Sequence, residues 1–197
     1  AMNDALIDLG VRKPGPEAVV LDVGCGVGAP AFYLHEKLGC SVIGISTSCK
    51  GVDVANQWSR QRRLTDRVRF LVADGTDNWF PDRHFDVAWL METSHTMKDK
   101  HKLLTECFRV LKPGGQLLLG DVMPRSRFKL VHYLKCLCRR NVNWVIGWMK
   151  MKKAFGPAWT ESSHFYAAML KKIGYKNVAF REVGEYVQPT FECWRRN

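Results

Sequence analysis

Val19-Val20-Leu21-Asp22-Val23-Gly24-Cys25-Gly26-Val27-Gly28 is the stretch that decides the fold. Its first half is mostly apolar, as a parallel strand covered on both faces should be. Its second half carries three glycines, which tolerate positive φ and remove the Cβ atoms that would block a ligand. A helix over residues 29–38 follows, turning its N-terminal amides and positive dipole end toward the same place. The spacing is G-x-G-x-G, not the G-x-G-x-x-G of dinucleotide folds, so a pyrophosphate is not the first ligand to expect. Taken alone, the loop reads equally well as a structural bend.

Outward from this loop the chain alternates. Strands are expected at 40–46, 68–74, 85–91 and 116–120, with a helix at 49–63 and another carrying Leu103, Leu104, Cys107, Phe108 and Leu111 at helical spacing. Lys112-Pro113-Gly114-Gly115 ends that helix. A short helix stopped at Gly10 and a Pro14-Gly15-Pro16 connector precede the first strand. A helix at 162–173, a turn at Gly174 and strands at 177–183 and 189–194 close the chain. Such alternation implies a parallel sheet with right-handed crossovers and helices on both faces. Ligands then sit beyond the carboxyl ends of the strands. That rim collects the glycine turn, Ser46, Asp74, the segment from Met91 to His95, and Asp121. Asp22 reads as a carboxylate that organises the loop and meets an ammonium, or as a turn residue. Asp74 is placed to accept from an exocyclic amine, and Asp121 reads most simply as a strand-end turn residue.

At 197 residues the chain reads as one domain, 1–197, with no apolar run of membrane-spanning length. No basic region followed by an apolar core opens it, so a cytoplasmic location is expected. Ala1 ahead of Met2 reads as a cloning remnant, which leaves room for a longer natural N-terminus. Seven cysteines at irregular spacing, with no C-x-x-C pair, point to free thiols rather than disulfides or a metal site. The net charge of +11 is local. Residues 122–160 hold nine Lys/Arg and no Asp or Glu, so the remainder carries 11 − 9 = +2.

These pieces resemble the class I S-adenosylmethionine-dependent methyltransferases over residues 17–121, in the correct order. Val20 to Gly28 is similar to the first motif of that family, Leu71-Val72-Ala73-Asp74-Gly75 to its adenine-contacting segment, and Phe85 to Trp89 with Met91 to His95 to its fourth-strand motif. Arg109-Val110-Leu111-Lys112-Pro113-Gly114-Gly115-Gln116-Leu117 resembles its most recognisable stretch. The resemblance implies a Rossmann-like, doubly wound, mostly parallel seven-stranded sheet with an antiparallel last strand. It also implies a helical acceptor lid between strands 5 and 6, here the basic segment 122–160. The cofactor implied is S-adenosyl-L-methionine (SAM), held by Asp22, Gly24, Cys25, Gly26, Gly28, Ser46, Thr47, Asp74, Gly75 and Met91. Most of the family carry an acid at the end of the second strand. Here Gly44-Ile45-Ser46-Thr47-Ser48 offers hydroxyls, which give weaker hydrogen bonds than a charged group. That replacement is similar to the tocopherol, sterol and cyclopropane-forming branches, although Gly51 lies near where those branches often place a glutamine, and the chain as a whole resembles most the small-molecule ubiquinone/menaquinone, sterol and tocopherol branches.

Methyl transfer from a sulfonium is an in-line displacement, so positioning supplies much of the rate. The resemblance puts Glu92 and His95 where the methyl group emerges, as a base or a stabiliser of developing cation, or else as a structural pair shaping the loop. No Asn-Pro-Pro-Tyr or Asp-Pro-Pro-Tyr follows the fourth strand, which disfavours exocyclic amines of bases or glutamine as acceptors. A small, lipophilic or isoprenoid-like acceptor, methylated on carbon or oxygen, is therefore expected. The tryptophans and cations of 125–153 suit a solvated lid, a peripheral membrane contact or a phosphate on the acceptor. RNA or protein methylation is the competing activity, with nucleic acid disfavoured because no RNA module accompanies the charge. A truncated or non-catalytic SAM-binding domain is the third reading.

Overall fold

β1 (Val19–Val23) is buried along almost its whole length because helices cover both of its faces. Val20 points into a core shared with Leu6, Phe32, Phe70 and Trp89, while Leu21 and Val23 point into one shared with Ile45, Leu90, Leu103 and Cys107. Side chains two apart share a face, so Asp22 lies on the Val20 side. The computed structural model describes residues 2–10, 13–123 and 158–183.

Among these residues the order is α1 (Met2–Leu9), β1, α2 (Ala29–Leu38), β2 (Ser41–Ser46), α3 (Cys49–Gln61), β3 (Val68–Val72) and β4 (Phe85–Met91). A 3-10 turn (Ser94–Thr96), α4 (Lys100–Val110), β5 (Leu111–Gly120) and α5 (Ser163–Ile173) complete it. The five strands form one parallel sheet in the order β3-β2-β1-β4-β5. α1, α2 and α3 supply the first core and α4 the second; α5 packs behind α4 through Leu104, Tyr166 and Leu170. The order in which successive strands are added reverses between β1 and β4, which opens a crevice at their carboxyl ends. Ser48, Asp99 and Ser162 cap α3, α4 and α5, each accepting from a backbone N–H three residues on.

The described residues hold five parallel strands where seven with an antiparallel last strand were expected. Residues 177–183 form no strand: Asn177 adopts φ +54, which breaks an extended run, and Phe180 stays exposed. The strand expected at 189–194 lies outside the described residues, as does nearly all of the basic segment 122–160. β5 begins five residues earlier than expected. α4 stops at Val110 and Leu111 is already extended, so the chain enters the strand directly and Pro113 falls where the register shifts opposite Phe85 and Val87. Proline is tolerated in a sheet at such an irregularity.

Candidate functional site

Three glycines of the turn do three different jobs. Gly24 adopts φ +78, and a Cβ there would stand 1.9 Å from Thr93 Oγ1, so this glycine lets the loop after β4 close on the loop after β1. A Cβ on Gly28, the residue capping α2, would stand 2.5 Å from the Phe70 ring. Gly26 adopts φ +55 with nothing within 4 Å of its absent Cβ, so the open face of the turn is there. The amides of Gly24 and Cys25 both donate to Ile45 O, at 2.8 and 3.0 Å, and tie the turn to β2. Cys25 itself is core: burial, with a lesser push from Asp22, raises its thiol to about 12, which keeps it unreactive.

Asp22 is 1% exposed and its Oδ2 has no hydrogen-bond partner among the described residues. Burial alone pushes its carboxyl from 3.8 up to about 7. Its register partner on β4, Trp89, holds the other buried polar atom without a partner among the described residues, Nε1. At the end of β2, Ser46 Oγ accepts from Ser48 N at 3.2 Å and Thr47 is exposed. Beyond β3, Asp74 is exposed; its Oδ1 accepts from Thr76 N and Thr76 Oγ1, a closed turn that fixes the carboxylate. A Cβ on Gly75 would stand 2.5 Å from Val23 Cγ1, which brings the Asp74 loop against β1. Met91, half-buried, packs on the first core.

After β4 the chain passes through Glu92, exposed and left-handed at φ +51, whose amide donates to Gly120 O at 2.7 Å. His95 follows on the 3-10 turn. Its Nδ1 donates to Asp121 Oδ1 at 2.7 Å, and its backbone N–H donates to Asp121 Oδ2 at 2.8 Å. Asp121 also accepts from Ser94 Oγ at 2.5 Å and Val122 N at 2.7 Å. Burial opposes ionisation of Asp121, yet hydrogen bonds from His95 and Ser94 hold its carboxyl below the ordinary range. The bond to Asp121 raises the His95 imidazole above 6.5 against the opposing effect of burial. An ionised carboxylate at Nδ1 selects the tautomer whose Nε2 carries a lone pair.

The glycine turn, Ser46, Asp74, Met91, Glu92 and His95 stand at or just beyond the carboxyl ends of β1 to β4, along one rim, with Asp22 buried one residue before the end of β1. Sequence reasoning missed the role of Asp121, read there as a turn residue, together with Ser94, Tyr166 and Lys100. The available signal was topological. Asp121 ends the strand beside the one that delivers His95, so a carboxylate at that strand end could be paired with the histidine.

Among the described residues no helix is long and apolar enough to cross a membrane, and no group of three His, Cys, Asp or Glu side chains could hold a metal. A sheet of order β3-β2-β1-β4-β5, with a glycine turn at the switch point, is a Rossmann-like α/β architecture. The family profile described as a methyltransferase domain matches residues 21–119, half of the chain, and the chain belongs to that family. It is 33% identical over 171 residues to "Methyltransferase GfsG" of Streptomyces halstedii, which covers 87% of this chain. It resembles the solved "[4+2]-Cyclase SpnF" at 35% identity over 63% of this chain, with a TM-score of 0.58. It resembles geranyl diphosphate C-methyltransferase from Streptomyces coelicolor A3(2), solved with S-adenosyl-L-homocysteine, at 25% identity over 86% of this chain, with a TM-score of 0.67. The chain spans 57% of the length of GfsG, 45% of the SpnF chain and 55% of the C-methyltransferase chain.

Proposed function

We propose that the protein binds S-adenosyl-L-methionine on the rim of β1, β2 and β3 and transfers its methyl group to a small, lipophilic or isoprenoid-like acceptor. The residues fit that cofactor. Asp22 Oδ2 is a buried oxygen without a partner, which an ammonium satisfies directly or through water, and Gly26 leaves open space where a side chain would stand. Ser46 and Thr47 offer hydroxyls for a ribose, and the fixed Asp74 carboxylate offers an acceptor for an exocyclic amine. When bound, the cofactor supplies an electrophilic methyl group. S-adenosyl-L-homocysteine in the structure of the C-methyltransferase relative supports the same cofactor here.

The observation that carries the acceptor chemistry is the 2.7 Å bond between His95 Nδ1 and Asp121. It leaves His95 Nε2 to accept a proton from the acceptor, and the Asp121 carboxylate stabilises the imidazolium that forms. A base is needed where the acceptor must lose a proton, from a hydroxyl during O-methylation or from the cation left when an alkene carbon is methylated, so the dyad serves either O- or C-methylation. Glu92, exposed at the exit of β4, would stabilise the developing cation if the acceptor is an alkene. The lid over 122–160 and its peripheral membrane contact belong to this reading, with a cytoplasmic location. Labelled methyl transfer from SAM to lipid and small-metabolite extracts tests it, and His95→Asn should abolish the transfer.

A second reading has its own support: one structural relative carries the name of a cyclase, not a methyltransferase. Binding of S-adenosyl-L-homocysteine without methyl transfer to any acceptor would favour it. RNA or protein methylation would instead require the basic segment, and salt-sensitive RNA binding lost on substituting Arg139 and Arg140 would favour that activity.

A further inference from the structure

Lys100 is the first residue of α4 and only 3% exposed. Both facts run against electrostatics. Lysine is almost never fully buried, and a cation at a helix N-terminus faces the positive end of the dipole. Its ammonium donates to Ser94 O at 2.6 Å and to Met97 O. These two carbonyls bracket the 3-10 turn that presents His95. The same turn is closed by Met97 N on Ser94 O at 3.1 Å and by Thr96 N on Thr93 O at 3.0 Å.

We propose that Lys100 is a positioning residue for His95: by gripping the carbonyls of Ser94 and Met97 its ammonium fixes the turn that carries the imidazole and keeps a positive charge beside it. The charged groups that face His95 come from three elements. Asp121 stands at the end of β5, Glu92 at the exit of β4 and Lys100 at the start of α4. The two carboxylates favour the imidazolium, while burial and the charge of Lys100 oppose it. Each contribution that lowers the proton affinity of His95 leaves more of the free base near neutral pH. The buried lysine therefore works alongside burial against what Asp121 does to the proton affinity of His95, while its bonds to the turn hold the ring in place.

This inference rests on the reading of His95 as the proton acceptor. The two fail separately. If His95→Asn leaves methyl transfer intact, the base reading falls; the effect of Lys100 on His95 is measured without turnover, by following the His95 ring through a pH titration with NMR, its signal assigned by its loss in His95→Asn. Lys100→Met should raise the His95 midpoint by about half a pH unit, the size expected for removing one partly screened charge. The acid limb of kcat should move the same way, a loss of about threefold on that limb, with the KM for the methyl donor unchanged. Lys100→Arg should restore the midpoint, since the charge returns. Lys100→Gln, which keeps a donor without the charge, should shift the midpoint upward as the methionine does and serves if Lys100→Met does not fold. A folded Lys100→Met or Lys100→Gln protein whose His95 midpoint stays in place overturns the proposal, however much its melting temperature falls, because a merely structural lysine would do only the latter.

Discussion

Asp22→Asn should make the ligand-free protein more stable and a worse binder of S-adenosyl-L-homocysteine, and the stability gain should grow with pH. The carboxyl titrates at about 7 in the fold against 3.8 ordinarily. Because the folded value is raised, the native state holds the proton longer than the unfolded chain does. Stability is therefore lost as pH climbs from about 4 to 7, at 1.36 kcal/mol for each factor of ten in proton affinity, or about 4 kcal/mol in all. Asn in place of Asp removes that loss without changing the shape of the site. Urea unfolding of both proteins between pH 4.5 and 8 measures it, with the other titrating groups cancelling in the difference. A ligand ammonium would favour the Asp22 anion, so binding should release a proton near pH 7, seen as a dependence of the calorimetric heat on buffer ionisation enthalpy. A stability difference flat across this range would refute the account of Asp22 as a desolvated, unpartnered acid. Unchanged affinity in Asp22→Asn would refute its part in the ligand site.

Turnover should rise with pH through a midpoint above 6.5, since His95 must lose its proton to act and Asp121 raises its affinity for it; Asp121→Asn should lower that midpoint and cut kcat by about 10²-fold or more, read from pH–rate profiles. Gly24→Ala and Gly26→Ala should separate packing from binding. The first drives a Cβ into Thr93 and should cost at least about 2 kcal/mol in thermal unfolding. The second should cost about 1 kcal/mol for its left-handed backbone while abolishing S-adenosyl-L-homocysteine binding in calorimetric titration. Tyr166→Phe removes the hydroxyl that donates to Ser94 Oγ at 2.7 Å and should cost about 1 kcal/mol of stability, with a less than tenfold fall in kcat and unaltered ligand affinity.

What could be read from the sequence was whatever lies within a few covalent bonds of its partner. The strand, the glycine turn and the helix after it are consecutive, so their meaning is local, and the apolar run of β1 states outright that both faces are covered. The His95–Asp121 pair is not local. Twenty-six residues and the whole of α4 and β5 separate them, and only the adjacency of two parallel strand ends brings them together. The same holds for Tyr166, whose hydroxyl reaches Ser94 from α5 across 72 residues. Residues 177–183 misled for the opposite reason: Val178, Phe180 and Val183 look like a strand locally, but Asn177 in the left-handed region turns the chain out of any extended path. Glycine spacing was itself ambiguous until Thr93 and Phe70 were in place. Two of the three glycines answer to protein side chains that press on them, and a pattern of residue types cannot tell a glycine kept clear for a neighbour from one kept clear for a ligand. Gly26 is the position where no side chain among the described residues presses on the missing Cβ, so beyond its left-handed backbone the ligand reading of the turn stands on that one residue and on the Asp22 oxygen that has no partner among them.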